Sequence, residues 1–490
     1  MRAFRIEAAP FVFTDILDVK IRKGVNQLGN AWIKGVIAEE NEDGYVKMAL
    51  SRLPVAVSAI DINEKRKTVF QGFLENINIS SVNGLKTMEL FIASYNKLLD
   101  ITPGIKVFQD TELTYDKLVA AVLSPFDGAD FLAHCGDEQA IGQMFVQYQE
   151  TAWAFVMRMA SMWEDVLLPD DTKKGVRIHF GFPDKYAPDT PGISPISYDV
   201  RKDVRSYMDH ESPAASESDY VYYIAKDREI REPGEPVFFQ GCDLYVTEME
   251  SRFEGQELIH IYTLRNRNGI RARPYRNFAI IGASLSGQVS AITGSHVRMS
   301  LPAAHSNDAG QTKWHPFSTI YSTPDGTGWY AMPEKGDSLR LYYPTEIEND
   351  GYTVSAVHHY GSPPQAGGGS AAAGQPPDET DLDTVQDGAP EIDPKNKFIE
   401  NNSGKFILLT PYSIMMACEG GSILIQDGEG ISITSNYDLN ITANGDVNIA
   451  SLAANATVVG TEGVNVEQAA AKIELSDGNV IFKGAEVQTN

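Results

Sequence analysis

The chain has 490 residues, of which 42% are hydrophobic and 22% charged, and its formal net charge is -25. At roughly 100–200 residues per domain this is a multi-domain length with material for several cores. Binding to nucleic acid or to an anionic lipid surface needs a basic face, so an acidic balance of this size argues against both.

The charge is uneven. The last arginine is Arg340, and residues 401–490 carry ten acidic residues against Lys405, Lys472 and Lys483. Cys135, Cys242 and Cys418 are far apart and odd in number, which is neither a disulfide framework nor a CxxC metal site and suits a reducing compartment. The opening MRAFRIEAAPFVF lacks a signal-peptide pattern, and the most apolar run, 406–418, is broken by Pro411 and Ser413. A soluble chain without a membrane-spanning helix is expected.

In chain order, residues 1–100 read as strands, because ILDVKIRKG, YVKMALSRL and FLENINISSVNGLKTMELFIAS alternate apolar and polar positions. Asn83-Gly84 between two such runs predicts a tight hairpin, whose turn needs positive φ at both central residues. Helical spacing is present in 115–123 and in 147–163, where Ala152, Phe155, Val156 and Met159 form an apolar stripe. Such a stripe reads as core. Segments 176–182 and 219–265 return to strands, so 1–275 reads as an α+β unit of two interwoven subdomains. Residues 276–360 suggest five short strands (GQVSAI, HVRMSL, WYAMP, SLRLYYP, YTVSAVHHY), which fit a small barrel of the oligonucleotide/oligosaccharide-binding (OB) type. Residues 361–397, with two Pro-Pro pairs, Gly-Gly-Gly-Ser and a carboxylate block, read as a linker.

Beyond the linker, apolar pairs recur every eight residues: Ile423/Ile425, Ile431/Ile433, Leu439/Ile441 and Val447/Ile449. After a slip of one they resume at Val464/Val466, near Ile473, and at Val480/Phe482. Each repeat is one strand and one turn, too small to bury an apolar face by itself. Three chains winding together could each supply one face per layer, with the pairs on a shared axis and the carboxylates outside.

This order of parts resembles the VgrG-like hub-spike proteins of contractile injection systems, the fused baseplate hub and needle. The resemblance is carried by Phe70-Gln71-Gly72 with the hairpin that follows and Ser94, and by Gln147-Tyr148-Gln149-Glu150-Thr151 ahead of a helix. It continues through SRFEGQELIHIYTL at 251–264, Gly287-Gln288-Val289, Trp329-Tyr330-Ala331-Met332-Pro333 with Gly336-Asp337, and the entry segment 393–413 with Ser403-Gly404-Lys405. It implies a multi-domain, mainly β protein: a hub at 1–275 with barrel-like subdomains, an OB-fold barrel at 276–360, a linker at 361–397, and an intertwined trimeric β-helix needle at 398–490. It further implies a homotrimer made in the bacterial cytoplasm, part of a phage-tail-like particle or secretion apparatus acting at the target envelope. Its partners would be the inner tube protein, baseplate proteins, a separate PAAR-like tip protein and effector cargo, with no nucleic acid and only transient contact with the target membrane.

Enzyme chemistry finds little footing. The nine histidines form no HExxH or HxH, and adjacent His358-His359 on a strand would point to opposite faces. Some family needles hold an iron at the apex through HxH; no histidine follows residue 360, so no apex metal and no cofactor are expected. No GxSxG or Walker A pattern occurs, the span between OB unit and repeats is too short for an inserted lysozyme-like domain, and a His134-Cys135 dyad is disfavoured because sequence adjacency says little about a dyad. A non-enzymatic role is expected. Arg265, Arg267, Arg271, Arg273 and Arg276 form a basic run that is either a solvated face or a seam pairing with carboxylates of a neighbouring chain or the tube. The alternative function is a trimeric tail-spike adhesin or depolymerase binding surface glycan, which uses the solenoid but leaves 1–275 unexplained.

Overall fold

The structure is a computed structural model that describes residues 5–48, 52–184, 187, 189–209, 216–255, 257–306, 312–319, 332–355, 397–400, 403–468, 471–476 and 478–486. The chain divides into two compact units, Met1–His358 and His359–Asn490. Of the described residues 48% are strand and 12% helix, which makes the protein mainly β with an α+β first unit. Among the described residues no helix is long and apolar enough to cross a membrane.

The first unit opens with β1 (Arg5–Ala9), β2 (Asp15–Gly24), β3 (Gln27–Val36), α1 (Glu42–Met48), β4 (Pro54–Ile60), β5 (Arg66–Val82) and β6 (Leu85–Ser94). There follow β7 (Gly104–Phe108), α2 (Tyr115–Leu123), β8 (Asp130–Ala133), β9 (Phe145–Glu150), α3 (Ala152–Ser161), β10 (Leu167–Pro169) and β11 (Arg177–Phe180). Then come β12 (Ser197–Lys202), α4 (Val204–Asp209), β13 (Val221–Asp227), β14 (Pro236–Phe239), β15 (Cys242–Glu254) and β16 (Glu257–Arg265).

One large sheet runs β1-β4-β5-β6-β3-β2-β15-β16-β13-β12, with β14 also on β15. Its two halves meet where Lys20–Gly24 of β2 pair with Glu248–Arg252 of β15. The predicted hairpin is present: Val82 faces Leu85 across Asn83 (φ 51°) and Gly84 (φ 82°). Gly72 permits the close approach of β5 to β6, since a Cβ there would lie 1.9 Å from the Ala93 carbonyl oxygen. The alternating positions Val19, Ile21, Ile33, Met88, Leu90 and Phe70 fill the core beneath this sheet. A second core gathers α2 and α3 through Leu118, Val119, Phe155, Val156 and Met159. The helical stripe begins at Ala152 rather than 147, because Phe145–Glu150 pair as β9 with β7 and Thr151 caps the helix by accepting from the Ala154 amide at 3.2 Å.

A five-stranded sheet closes the unit: β17 (Ser284–Thr293), β18 (His296–Ser300), β19 (His315–Pro316), β20 (Ser338–Tyr342) and β21 (Tyr352–Ser355), ordered β19-β18-β17-β20-β21. Four of its expected strands form. The fifth, at 329–333, lies largely outside the described residues, and Met332-Pro333 are not in a strand. The expected linker lies outside them too, except for Lys397, as do His358 and His359.

The second unit has an antiparallel sheet of β22 (Lys397–Glu400), β23 (Phe406–Leu409), β24 (Ser413–Cys418), β25 (Gly421–Gln426) and β26 (Gly430–Ser435). Later β27 (Val464–Gln468), β28 (Ala471–Ser476) and β29 (Asn479–Lys483) form a second sheet. Leu439/Ile441 and Val447/Ile449 sit in 436–463, where the chain forms no strand. A strand this short needs a hydrogen-bonded neighbour to persist.

Candidate functional site

The strand register of β23–β26 stacks two of the predicted apolar pairs, Ile423/Ile425 and Ile431/Ile433, with Ile407, Leu409, Ile414 and Met416 into two columns on one face, while Leu439/Ile441 and Val447/Ile449 join no strand. Ile407 faces Met416, Met416 faces Ile423, and Ile423 faces Ile433. Beside them Leu409, Ile414, Ile425 and Ile431 are paired in the same way. In the later sheet Val466 faces Ile473, which faces Phe482, and Val464 and Val480 both pair with Leu475. These side chains have little cover within the chain: Ile423 is 39% exposed, Ile433 55%, Ile431 68% and Ile449 78%. Ile425, Leu439, Ile441, Val447, Val466, Val480 and Phe482 are exposed as well, and Val464 is half-buried. Full burial of one such side chain contributes roughly 1.5–3 kcal/mol, so the uncovered ladder of β23–β26 is a large latent driving force for association.

The Gln147-Tyr148-Gln149-Glu150-Thr151 motif builds a buried charged junction in the first unit. Gln147 Nε2 donates to the Glu150 carbonyl oxygen at 2.8 Å, and the Tyr148 carbonyl oxygen accepts from Asn277 Nδ2 at 2.8 Å. Gln149 turns through φ 52°, and Thr151 Oγ1 donates to Asp100 at 2.9 Å. The Glu150 carboxylate accepts from Arg158 Nε at 3.0 Å and Nη2 at 2.9 Å. Arg158 is 3% exposed; its Nη1 donates to Glu348 at 2.7 Å and its Nη2 to the Val146 carbonyl oxygen at 2.8 Å. Glu348 sits in the short turn between β20 and β21, so one guanidinium ties β9 and α3 to the five-stranded sheet. Burial pushes the Glu150 carboxyl up; the Arg158 charge opposes this and the Glu348 charge adds to it. Glu348 carries no motif in the sequence that marks it.

The basic run is mostly engaged within its own chain, which narrows the seam expected from sequence. Arg265 stacks over Tyr222 and pairs with Asp203 at 3.8 Å, Arg267 pairs with Asp165 at 2.7 Å, and Arg271 with Glu164 at 3.2 Å. Arg273 and Arg276 are exposed and have no ion pair among the described residues. His134 Nε2 lies 2.8 Å from His179 Nδ1, while burial, with Asp165 adding to it, pushes the Cys135 thiol up to about 12, so this pair has no thiolate character. A Ser-His contact that sequence reasoning missed joins β15 to β16: Ser251 Oγ and His260 Nδ1 are 2.7 Å apart, both residues being 1% exposed. It is sealed in the core rather than presented to a substrate. Among the described residues no three His, Cys, Asp or Glu side chains gather as a metal site.

Two buried histidines make stability pH-dependent. Burial, reinforced by Lys23 and Lys67, holds His260 down at about 3. Burial and Lys313 hold His315 down at about 4, against a weak hydrogen bond that the Gly351 carbonyl oxygen accepts from its Nδ1. An unfolded histidine takes its proton near pH 6.5, so below that pH the unfolded chain binds more protons than the folded one. Stability is full above about pH 6.5 and falls as pH drops toward 4 and 3, by up to about 1.4 kcal/mol per pH unit for each histidine. Urea midpoints of the first unit at pH 7.5 and 5 should show this loss, and His260→Gln should reduce the difference by about half. An unchanged difference would exclude His260 as a source.

No protein-family model and no curated protein matches the sequence. Solved structures do. A chain in the half-lidded Francisella PdpA–VgrG complex is 10% identical with a TM-score of 0.52, the match covering 86% of this chain and 83% of that one. A chain in the lidless PdpA–VgrG complex is 11% identical with a TM-score of 0.50, covering 86% and 93%. An E. coli type VI secretion component, c3393, described as structurally similar to the T4 bacteriophage tail proteins gp27 and gp5, is 12% identical and covers 71% and 99%; its TM-score of 0.49 is too low to carry an argument. At these identities the likeness establishes the fold alone, one shared with a chain of the PdpA–VgrG complexes, in line with the VgrG-like resemblance of the sequence.

Proposed function

We propose that the chain is the structural hub-spike subunit of a contractile injection system, working as a homotrimer at the end of the inner tube. The observation that carries this reading is the double apolar column on one face of β23–β26, which a single chain leaves uncovered and which three copies can bury around a common axis. In this reading 1–275 is the hub, 276–360 the OB adaptor, 361–397 the linker and 398–490 the needle. The two halves of the large sheet, joined at β2–β15, supply two comparable blocks per chain and six per trimer, which suits a sixfold tube. The needle then continues as a threefold rod that the tube drives through the target envelope when the sheath contracts. That work comes from the sheath, so the spike contributes stiffness and no catalysis. Tube, baseplate, tip and cargo proteins are the partners this role requires.

Arg273 and Arg276 are the arginines left for a seam between copies. Reversing both to glutamate should lower the salt concentration at which the trimer dissociates while leaving the folding of each chain intact. Unchanged salt resistance would make them a solvated face. The reading as a whole is tested by mass and shape in solution, where an elongated trimer is expected.

A further inference from the structure

The meander β1-β4-β5-β6-β3-β2 ends on two strands, β1 and β2, that are consecutive in the chain yet do not pair. β1 pairs with β4 along Arg5–Ala9 and touches the loop after it only at the Ala8–Phe11 bridge. β2 pairs with β3 along its length but with β15 only from Lys20 to Gly24, so the outer edge of Asp15–Val19 is open. Between these two edges lies a cleft of about 1040 Å³ walled by residues 5–17 with Phe253 and Gly255. A five-residue strand, at 3.3 Å per residue, 4.8 Å between strands and 10 Å between layers, fills roughly 800 Å³. We propose that this cleft accepts an extended segment of a partner polypeptide, which bridges β1 and β2 by strand addition.

The occupant's chemistry follows from the walls. Two open backbone edges call for a chain extended and free on both sides. Every described strand of this chain already has one edge paired, so none of these strands from a second copy fits, and the occupant we assign is a segment of a different polypeptide, chosen by its charge. On the β1 side Arg5 and Arg66 already share Glu7, and Arg5 also pairs with Glu64. On the β2 side Asp15 and Asp18 have no basic partner among the described residues; Asp18 only accepts the Val19 amide at 2.8 Å. Val12, 64% exposed, and Leu17, 47% exposed at a bulge in β2, line the same cleft. The segment therefore alternates apolar residues with lysine or arginine, the basic ones opposite Asp15 and Asp18.

Two synthetic eight-residue peptides test this on the full chain, both with valine at alternate positions and with either lysine or glutamate between. At about 1 mM the lysine peptide should slow amide hydrogen exchange in 5–9 and 15–19 by about tenfold, an effect that weakens as salt is raised. The glutamate peptide should not. The Asp15→Lys/Asp18→Lys double variant should reverse that preference, and in the wild-type protein the salt dependence reads the same charge contact should the variant fail to fold. Absence of protection by the lysine peptide, or equal protection by both peptides at low salt, overturns the proposal. Neither outcome bears on the trimer, whose mass is read separately.

Discussion

Replacing both Ile423 and Ile433 with aspartate is expected to turn the trimer into monomers with an intact first unit. The two residues are cross-strand neighbours in one column of the exposed ladder, flanked by Met416 and by the second column at Ile425 and Ile431. In a trimer the double change removes six isoleucines from the shared axis, a loss of roughly 10–20 kcal/mol of burial, and places six carboxylates against one another in a poorly hydrated core. No rearrangement of the turns can recover this, because a one-residue slip of register would send every apolar side chain on the strand to the other face. The matched control is Ser432→Asp/Thr434→Asp on β26, which points to the opposite face of the same strand and should leave the trimer unchanged. Sedimentation velocity of the two double variants checks it. A trimer in the isoleucine variant would mean that the ladder is not the interface.

The second large effect is expected at Arg158. Arg158→Met keeps the bulk of the side chain but leaves Glu150 and Glu348 buried without their cation and the Val146 carbonyl without its donor. Breaking a buried pair from one side costs about 3–5 kcal/mol, because the remaining charge is stranded in a low-dielectric site. A fall of roughly 5–10 °C in the melting temperature of the first unit follows. Adding Glu348→Gln to Arg158→Met should recover part of it by removing one stranded charge, since the two sites are coupled rather than additive. Glu348 lies 190 residues from Arg158, so loss of the junction should also raise amide exchange in β20 and β21 well before global unfolding. If Arg158→Met melts like the wild type, the junction is not what ties the five-stranded sheet to α3.

Several of these features were legible in the sequence for physical reasons. Asn83-Gly84 announces its turn because few residue pairs tolerate positive φ twice in succession, and α2 spans 115–123 as its periodicity indicates. The columns of the ladder were visible because strand alternation repeats with a fixed short step. Other features depend on distant partners and leave no local trace. The union of the large sheet through β2 and β15 joins residues about 230 positions apart, and Glu348 is one unmarked carboxylate among 66 acidic residues. The short helix α1 reads as strand in the sequence because Val46, Met48 and Leu50 are apolar at alternate positions, while Gly44 weakens any helical pattern. The basic run was readable as charge, but the acidic partners of Arg265, Arg267 and Arg271 in their own chain, Asp203, Asp165 and Glu164, lie 62 to 107 positions away and leave no local trace.

The proposed hub-spike role requires three copies to share the apolar face of the second unit. Light scattering coupled to size exclusion measures that directly on the full chain, whose subunit mass is 53.8 kDa. The prediction is a single species of three times that mass, eluting early for its weight as a long particle does, at concentrations well below micromolar. A stable species at 53.8 kDa under the same conditions would contradict it.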